Sequence, residues 1–260
     1  MVTAFLGIDH LVIAVADPDE AAGQLDRELG LEATGGGRHD TLGTYNRLIW
    51  LGDSYLELIG VFDRDLAEQS WLGIPTLRAF DAGGGFATWA VASDALDTDA
   101  AEVRALGGDL SEPRFDERRR PDGAVVRWRV STPRRLGPAD PPFIIEHDPT
   151  SAEWTAADRT ARSADRHPIG GQVRLEMLEV PVGDMPATIQ RFARTLGLGF
   201  RPSLAGGGAR DAAIGQQTVR LRPSRTSSQK VTIHLVAHGS AIRRTAELLG
   251  CRWLVRADAP

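Results

Sequence analysis

The sequence has little of what defines several common protein classes. It contains a single cysteine, Cys251, which excludes an intrachain disulfide and a thiolate metal cluster. Its net charge of -5 and pI near 5.7 give no excess of positive charge that would attract nucleic acid or an anionic membrane. Asp9 and Asp17 interrupt and end the first apolar run, so neither a signal peptide nor a membrane span is predicted. We therefore expect a soluble, cytoplasmic protein with no nucleic-acid or membrane partner.

The rest of the composition is that of an ordinary globular protein. Hydrophobic residues make up 42% and charged residues 25% of the 260 positions, which suffices for one large domain or several small ones. Residues 8–16 form a short aliphatic run, as in a strand covered on both faces. Asp17, Pro18 and Glu20 then carry the signals of a helix start, and Gly30 carries the signal of its end. The stretch predicts a strand that leads directly into a helix.

This strand–helix unit occurs again further along the chain. An ungapped comparison of the chain with itself places Asp184 on Asp17 and residues 196–198 on residues 29–31, and a weaker copy places Asp94 on Asp17. Internal repeats of this kind decide the architecture. Further apolar strands follow the first copy, so its order is strand, helix, strand, strand, strand. We therefore predict an α+β protein built from repeated βαβββ modules.

The copies also suggest a division of the chain. Modules at residues 5–62 and 85–148 would form one domain, residues 1–148. Residues 149–171 hold few large apolar groups and predict a surface linker, and residues 172–260 form a third, degenerate module. Ile242, Ala246 and Leu249 have the spacing of an amphipathic helix, so we expect this module to end in a helix. Because modules pair, the third is expected either to cap the first two or to pair with its copy in a homodimer.

Two polar residues lie within otherwise aliphatic strands of the first module. Alternate residues of a strand share a face, so His10 and Glu57 point away from the aliphatic faces of their strands. If the first and last strands of the module lie side by side, the two residues are cross-strand neighbours. A buried carboxylate must be paired, hydrogen-bonded or bound to a metal. The pair therefore predicts either half of a divalent metal site or a buried His–Glu hydrogen bond.

The other copies do not repeat this pair. In the third copy, Met177 occupies the position of His10, and we assign the position of Glu57 to His234. In the second copy Glu146 lies near the end of the last strand, so a three-ligand metal site of His10, Glu57 and Glu146 is one possibility. A site that two modules contribute symmetrically is not supported.

These residues resemble the vicinal oxygen chelate superfamily, and within it the glyoxalase-like domain. The resemblance rests on the Ile-Asp-His strand that ends at His10, on residues 36–48 (Gly-Gly-Arg-His-x-x-x-Gly-Thr-x-Asn-Arg-Leu) and on residues 55–59 (Tyr-Leu-Glu-Leu-Ile). It implies modules that pack into a cup-shaped mixed sheet with helices on the outside. It also implies a divalent metal ion (Zn, Ni, Mn, Fe or Ca). Ala87 departs from the pattern, since a second His or Gln is expected there.

Carried over residue by residue, the resemblance implies roles for individual side chains. Metal ligands would be His10, Glu57 and Glu146, and Glu57 would also be the catalytic base, assisted by His39. Candidate residues for contact with a small-molecule ligand or substrate in the cup are Asn46, Arg47, Trp50, Tyr55, Trp89 and Trp128.

Two functions are compatible with this set. One is a metal-assisted isomerase or lyase that acts on a substrate with vicinal oxygens. The other is a metal-free protein that binds and sequesters an antibiotic or an aromatic metabolite, for which aromatic walls suit equally well. A metal that is lost on substitution of His10 would favour the first function, and tight binding of an apolar ligand by metal-free protein the second.

Overall fold

The computed structural model describes residues 5–226 and 229–258. The first part of the chain contains eight strands and four helices. These elements are β1 (Gly7–Ala14), α1 (Pro18–Leu29), β2 (Gly35–His39), β3 (Thr44–Leu51), β4 (Ser54–Val61), α2 (Arg64–Ala67), α3 (Gly73–Asp81), β5 (Gly85–Ala92), α4 (Leu96–Ala105), β6 (Arg114–Arg119), β7 (Val125–Ser131) and β8 (Phe143–His147).

Local signals fix both ends of helix α1. The side chain of Asp17 accepts hydrogen bonds from the backbone N–H groups of Asp19 and Glu20, which have no partner within the helix. At the other end Gly30 adopts φ 66, a left-handed conformation that favours glycine. A Cβ atom at Gly30 would also lie 2.7 Å from the backbone nitrogen of Ile169. Glycine therefore both ends the helix and lets a later segment pack against it.

The eight strands of the first part close into a barrel with the order β1-β4-β3-β2-β6-β7-β8-β5. Strand β1 pairs in parallel with β4 and antiparallel with β5, so it joins the two modules. A single bridge between Arg38 of β2 and Arg119 of β6 completes the circle. The barrel therefore has an inner face that its own strands enclose.

The second part of the chain forms a separate mixed sheet of seven strands. A helix, α5, comes first, within the segment that the sequence predicts as a linker. The elements are α5 (Ala156–Ala164), β9 (Gln172–Val182), α6 (Met185–Leu196), β10 (Arg201–Pro202), β11 (Arg210–Ile214), β12 (Gln217–Pro223), β13 (Thr232–His238), β14 (Arg244–Leu248) and β15 (Cys251–Asp258).

The sheet repeats the topology of the barrel but does not close. Its order is β10-β11-β12-β9-β13-β15-β14, and β9 pairs with β12 and β13 as β1 pairs with β4 and β5. Among the described residues no strand takes the place of β6, so the sheet stays open between β10 and β14. The predicted α+β class, with repeated βαβββ modules, a cup-shaped mixed sheet and outer helices, is confirmed.

The predicted C-terminal helix is wrong, because its residues form strand β14 and a turn. Ala246 and Leu248 both pack against the core, as the alternation of a strand requires. Leu249 and Gly250, with φ 51 and φ 67, then turn the chain into β15. The four-residue spacing of Ile242 and Ala246 fits a period of two as well as a helical period, so it could not distinguish the alternatives.

The position of Glu57 in the third copy also differs from the prediction. Glu57 lies two residues beyond the partner of His10 on β4, and Arg220 lies two residues beyond the partner of Met177 on β12. His234 belongs to β13 and pairs with Met177 from the other side. Arg220 is therefore the counterpart of Glu57.

The largest apolar cluster lies between the barrel and the sheet. Trp89 of β5 stacks on Phe192 of α6, with ring centroids 6.1 Å apart. The side chain of Gln217 accepts from the backbone of Ile8 and donates to the hydroxyl of Ser54, at 3.2 Å each. These contacts fix the sheet against the outside of the barrel. No helix in the described residues is long and apolar enough to cross a membrane.

Candidate functional site

Polar side chains from the first four strands meet inside the barrel. They are His10 of β1, His39 of β2, Asn46 of β3 and Glu57 of β4, and each is at most 4% exposed. The structure brings His10 and Glu57 together as the strand alternation predicts, with His10 Nε2 3.6 Å from Glu57 Oε2. On the other side, His39 Nε2 lies 3.8 Å from Glu57 Oε1. A buried carboxylate thus lies between two imidazoles.

Asn46 holds this carboxylate in place. Its Nδ2 atom donates to Oε1 of Glu57 at 2.6 Å and lies 3.5 Å from Nε2 of His39. Its Oδ1 atom accepts the backbone N–H of Gly37 at 2.9 Å, which determines the end of the amide that faces Glu57. Asn46 is therefore a positioning residue for the carboxylate in this structure.

His39 is a neutral group at the centre of the site. Its Nδ1 atom pairs with the hydroxyl of Thr44 at 2.9 Å. Burial, and then the electrostatic effects of Arg118 and His10, lower the pKa of His39 to about 3. The imidazole therefore brings no positive charge near pH 7.

A second buried carboxylate, Asp9, connects His10 with His147 of β8. Asp9 Oδ1 lies 2.6 Å from His10 Nδ1, and both oxygens lie 3.1 Å from His147 Nε2. Burial alone would raise the pKa of Asp9, but the two imidazoles outweigh burial and hold it well below its usual range. Asp9 is therefore an ionised acceptor that turns the other nitrogen of His10 toward Glu57. Sequence reasoning did not assign this role, although Asp9 adjoins His10.

Aromatic rings line the barrel around this cluster. Tyr55 stacks on the ring of His10 at 4.5 Å between centroids, and Trp128 meets the ring of His39 edge-on at 5.7 Å. The ring centroids of Trp50 and Tyr55 lie 5.0 Å apart. The structure thus places Trp50, Tyr55 and Trp128 in the lining, where the sequence predicts them.

Residues 148–171, between β8 and β9, form a covering segment over the barrel. Trp154 lies flat on His147, with ring centroids 3.4 Å apart, and the guanidinium of Arg162 lies 4.1 Å from the ring centroid of Trp50. The cavity beside the cluster has about 30 Å³, which leaves room for about two water molecules. An open cleft of about 720 Å³ lies outside, with His147 and Trp154 in its wall. The cavity beside the cluster is too small for an organic molecule while Trp154 lies on His147.

Arg118 of β6 is a site residue that sequence reasoning missed. Its neighbours Arg119 and Arg120 and the nearby acidic residues give the run the composition of a solvated hairpin end. The structure buries Arg118 to 4% exposure and places it in the cavity lining with His39 and Glu57. A cation is thus available inside the barrel.

Other predicted site residues lie on the outer face of the barrel. Arg47 pairs with Asp19 at 3.2 Å, Glu146 pairs with Arg129 at 3.1 Å, and Trp89 packs against helix α6. Side chains alternate along a strand, so the residue after Glu146 is the one that faces inward. The structure does not bring these residues to the cluster, and we correct their predicted roles in binding metal or substrate.

The side chains do not fit the predicted metal centre as they stand. Within residues 5–226 and 229–258, no group of three or more His, Cys, Asp or Glu residues is arranged to hold a metal ion. Zinc ligands lie about 2.0–2.2 Å from the ion, and an N–H donor cannot serve as one. Nδ2 of Asn46 lies against both Glu57 and His39, where an ion shared by these two residues would have to bind.

The family of the protein follows from its match to known sequences. The glyoxalase-like domain family matches residues 8–196. The chain belongs to this family. Membership confirms the resemblance to the vicinal oxygen chelate superfamily that the first module shows. The matched range covers the barrel except its first residue, Gly7, and continues to the end of helix α6 of the sheet.

Three solved structures are similar to this glyoxalase-like protein, and the first two share its fold. A hypothetical protein from Staphylococcus aureus has a TM-score of 0.80 and 14% identity over 97% of this chain and 99% of its own. A mutant of 4-hydroxymandelate synthase from Streptomyces coelicolor has a TM-score of 0.54 and 14% identity over 91% of this chain and 72% of its own. Methylmalonyl-CoA epimerase from Mycobacterium tuberculosis has a TM-score of 0.40 and 21% identity over 56% and 91%. None of the curated proteins compared with the chain matches it.

Proposed function

We propose that this glyoxalase-like protein binds a small organic molecule inside the barrel and that Glu57 removes a proton from it. The observation that carries the proposal is the position of the Glu57 carboxylate. It is buried, Asn46 holds one of its oxygens, and the other lies 3.6 Å from His10, beyond hydrogen-bond distance. A positioned carboxylate of this kind is a suitable general base.

The neighbouring groups suit a proton transfer. His39, neutral near pH 7, adds no positive charge beside the carboxylate, and Glu57 itself can return the proton to another atom of the bound molecule. Asp9 orients His10 on the opposite side of the carboxylate. Return of the proton to a different position gives an isomerase, and loss of a neighbouring group gives a lyase.

The aromatic lining favours a second candidate function, which is binding without chemistry. Trp50, Tyr55, Trp128 and Trp154 surround the cluster and suit a planar or apolar ligand. Such a protein would sequester its ligand, and the polar cluster would then serve only for recognition and stability.

Deuterium exchange tests the proposal without knowledge of the product. Butanone, 2-oxobutyrate and phenylacetaldehyde each carry a C–H next to a carbonyl, and NMR follows loss of that proton in D₂O. We expect catalysed exchange with wild type, loss in Glu57→Gln, and no change in the matched control Glu146→Gln, whose carboxylate lies outside the barrel. Binding without exchange, equal in wild type and Glu57→Gln, would establish the sequestering function instead.

Elemental analysis of tag-free protein tests the metal-assisted form of this chemistry. The arrangement of Asn46 and Glu57 leads us to expect no stoichiometric divalent metal. Near-stoichiometric Zn, Ni, Mn, Fe or Ca in wild type and none in His10→Ala/Glu57→Ala would contradict the expectation. It would assign both residues to a metal centre.

A further inference from the structure

Arg118 is a buried cation with unused hydrogen-bonding capacity. Its Nη2 atom donates to Oε2 of Glu153 at 2.5 Å, while Nη1 is buried and finds no partner in the part of the chain that the structure describes. A buried donor without a partner is costly, so such groups mark places where a ligand can bind. Arg118 lines the same cavity as Glu57 and His39.

Glu153, the partner of Arg118, belongs to the covering segment and not to the barrel. The residue is 8% exposed and lines the cavity. Its φ of 69 is a left-handed conformation that costs energy for a residue other than glycine. The ion pair with Arg118 and the hydrogen bond from the Arg162 guanidinium to the Glu153 carbonyl hold this conformation. The chain thus places a carboxylate of its own on Arg118.

The size of the cavity means that something must leave when a ligand enters. About 30 Å³ holds water but not an organic molecule. Glu153 and Trp154 are the lining residues that the covering segment contributes. Their departure opens space next to Glu57 without any change in the barrel strands. It also leaves Arg118 as an unpaired cation, which a ligand has to neutralise.

We propose that the molecule bound in the barrel carries a carboxylate that replaces Glu153 on Arg118, so that binding opens the covering segment. Arg118 can bind a planar carboxylate through two parallel N–H groups, which uses the free Nη1 atom. Exchange of one carboxylate for another keeps the charge balance beside Glu57 and Asp9. The inference rests on the proposed function for the location of the ligand, and it adds the chemical class of that ligand.

Calorimetric binding with paired probes tests the exchange. The probes are benzoate, malonate and 2-oxobutyrate, each beside its neutral amide. Glu153→Gln removes the charge of the internal competitor, so we expect it to bind at least one carboxylate about tenfold more tightly than wild type does. The amides should bind at least about tenfold more weakly than the carboxylates.

The double variant Arg118→Gln/Glu153→Gln shows whether the carboxylate contacts Arg118. It removes both members of the ion pair and so avoids a buried unpaired charge that would confuse loss of binding with loss of folding. We expect no carboxylate binding, whereas Arg119→Gln, an exposed neighbour, should bind as wild type does. Limited proteolysis between residues 148 and 165 should become faster when carboxylate is present.

Three results would overturn the inference. They are a Glu153→Gln variant that binds none of the carboxylates, amides that bind as tightly as the acids, and a double variant that binds as Glu153→Gln does. None of these results would contradict proton removal by Glu57 if neutral ketones still exchange their protons for deuterium. Conversely, confirmed carboxylate exchange without deuterium exchange would retain Arg118 as the recognition residue of a sequestering protein.

Discussion

The barrel and the open sheet have the same strand order but differ in what their equivalent positions hold. In the barrel these positions hold His10 and Glu57, both buried, and in the sheet they hold Met177 and Arg220. Arg220 forms hydrogen bonds at 2.7 and 2.9 Å to Asp211 of the adjacent strand, so its charge is already satisfied. Because topology is shared and the chemistry is not, the candidate function belongs to the barrel.

Closure explains the difference between the two regions. The bridge between β2 and β6, together with the segment that contains Trp154, leaves room for only about two water molecules beside the polar cluster of the barrel. In the sheet the counterpart of β6 is not among the described residues, and the side chains of Arg220 and Asp211 remain 17% and 27% exposed. An ionised group in the sheet is therefore screened by solvent, whereas one in the barrel depends on its protein neighbours.

The largest contrast is expected in activity, between Glu57 and its counterpart Arg220. Glu57→Gln keeps the hydrogen bond from Asn46 possible but removes the base, so the rate of deuterium exchange should fall by about 10²–10⁴-fold. Arg220→Gln should leave that rate unchanged, because the sheet holds no part of the site. NMR exchange rates of both variants with the same ketone provide the measurement. If the exchange rate fell as much in the Arg220 variant as in the Glu57 variant, the assignment of the function to the barrel alone would be wrong.

Stability should show the next largest contrast, between Asp9 in the barrel and Asp211 in the sheet. Asp9→Asn removes a buried charge that both His10 and His147 contact, which should cost about 3–5 kcal/mol of unfolding free energy. Asp211→Asn breaks a partly exposed pair and should cost at most about 1 kcal/mol. Urea unfolding followed by circular dichroism measures both. Equal losses of unfolding free energy in the two variants would show that closure of the barrel does not determine how much each carboxylate contributes to stability.

The sequence predicted the repeated modules and the His10–Glu57 pair because strand alternation and helix caps are local signals. It could not predict whether Glu146 or His147 of β8 faces inward, since a shift of one residue reverses every side chain. Strand β6 inverts the usual pattern, with Phe115 81% exposed and Arg118 4% exposed. Hydrophobicity therefore predicts the wrong inward-facing side for strand β6. Only the closed barrel, which needs contacts between distant strands, identifies Arg118 as an inner residue.

Acid sensitivity should distinguish His39 in the barrel from His234 in the sheet. Folded His39 stays neutral down to a pH near its pKa of about 3, whereas in the unfolded chain it protonates near pH 6.5. Between these values the unfolded state binds the extra proton. Stability therefore falls as pH falls, by about 1.4 kcal/mol per pH unit from this group.

The variant His39→Asn removes this titration. Its stability should decrease by roughly 2 kcal/mol less than that of wild type between about pH 7 and pH 5, measured by urea unfolding. His234→Asn is the matched control. Burial also lowers the pKa of His234, but that residue is only partly buried, so the change in slope should be smaller. A steeper acid loss in His39→Asn than in wild type would contradict a neutral buried His39.

The smallest effect is expected at Glu146, the carboxylate that the sequence places in the metal site and the structure places outside. Glu146→Gln weakens one contact of Arg129, which keeps its hydrogen bond to Asp97 at 2.5 Å. Partly exposed pairs contribute little, so unfolding free energy should change by no more than about 0.5 kcal/mol. Deuterium exchange and metal content should equal those of wild type. A large loss of either would show that the side chain of Glu146 points into the barrel. The register of β8, and with it the comparison between the barrel and the sheet, would then have to be revised.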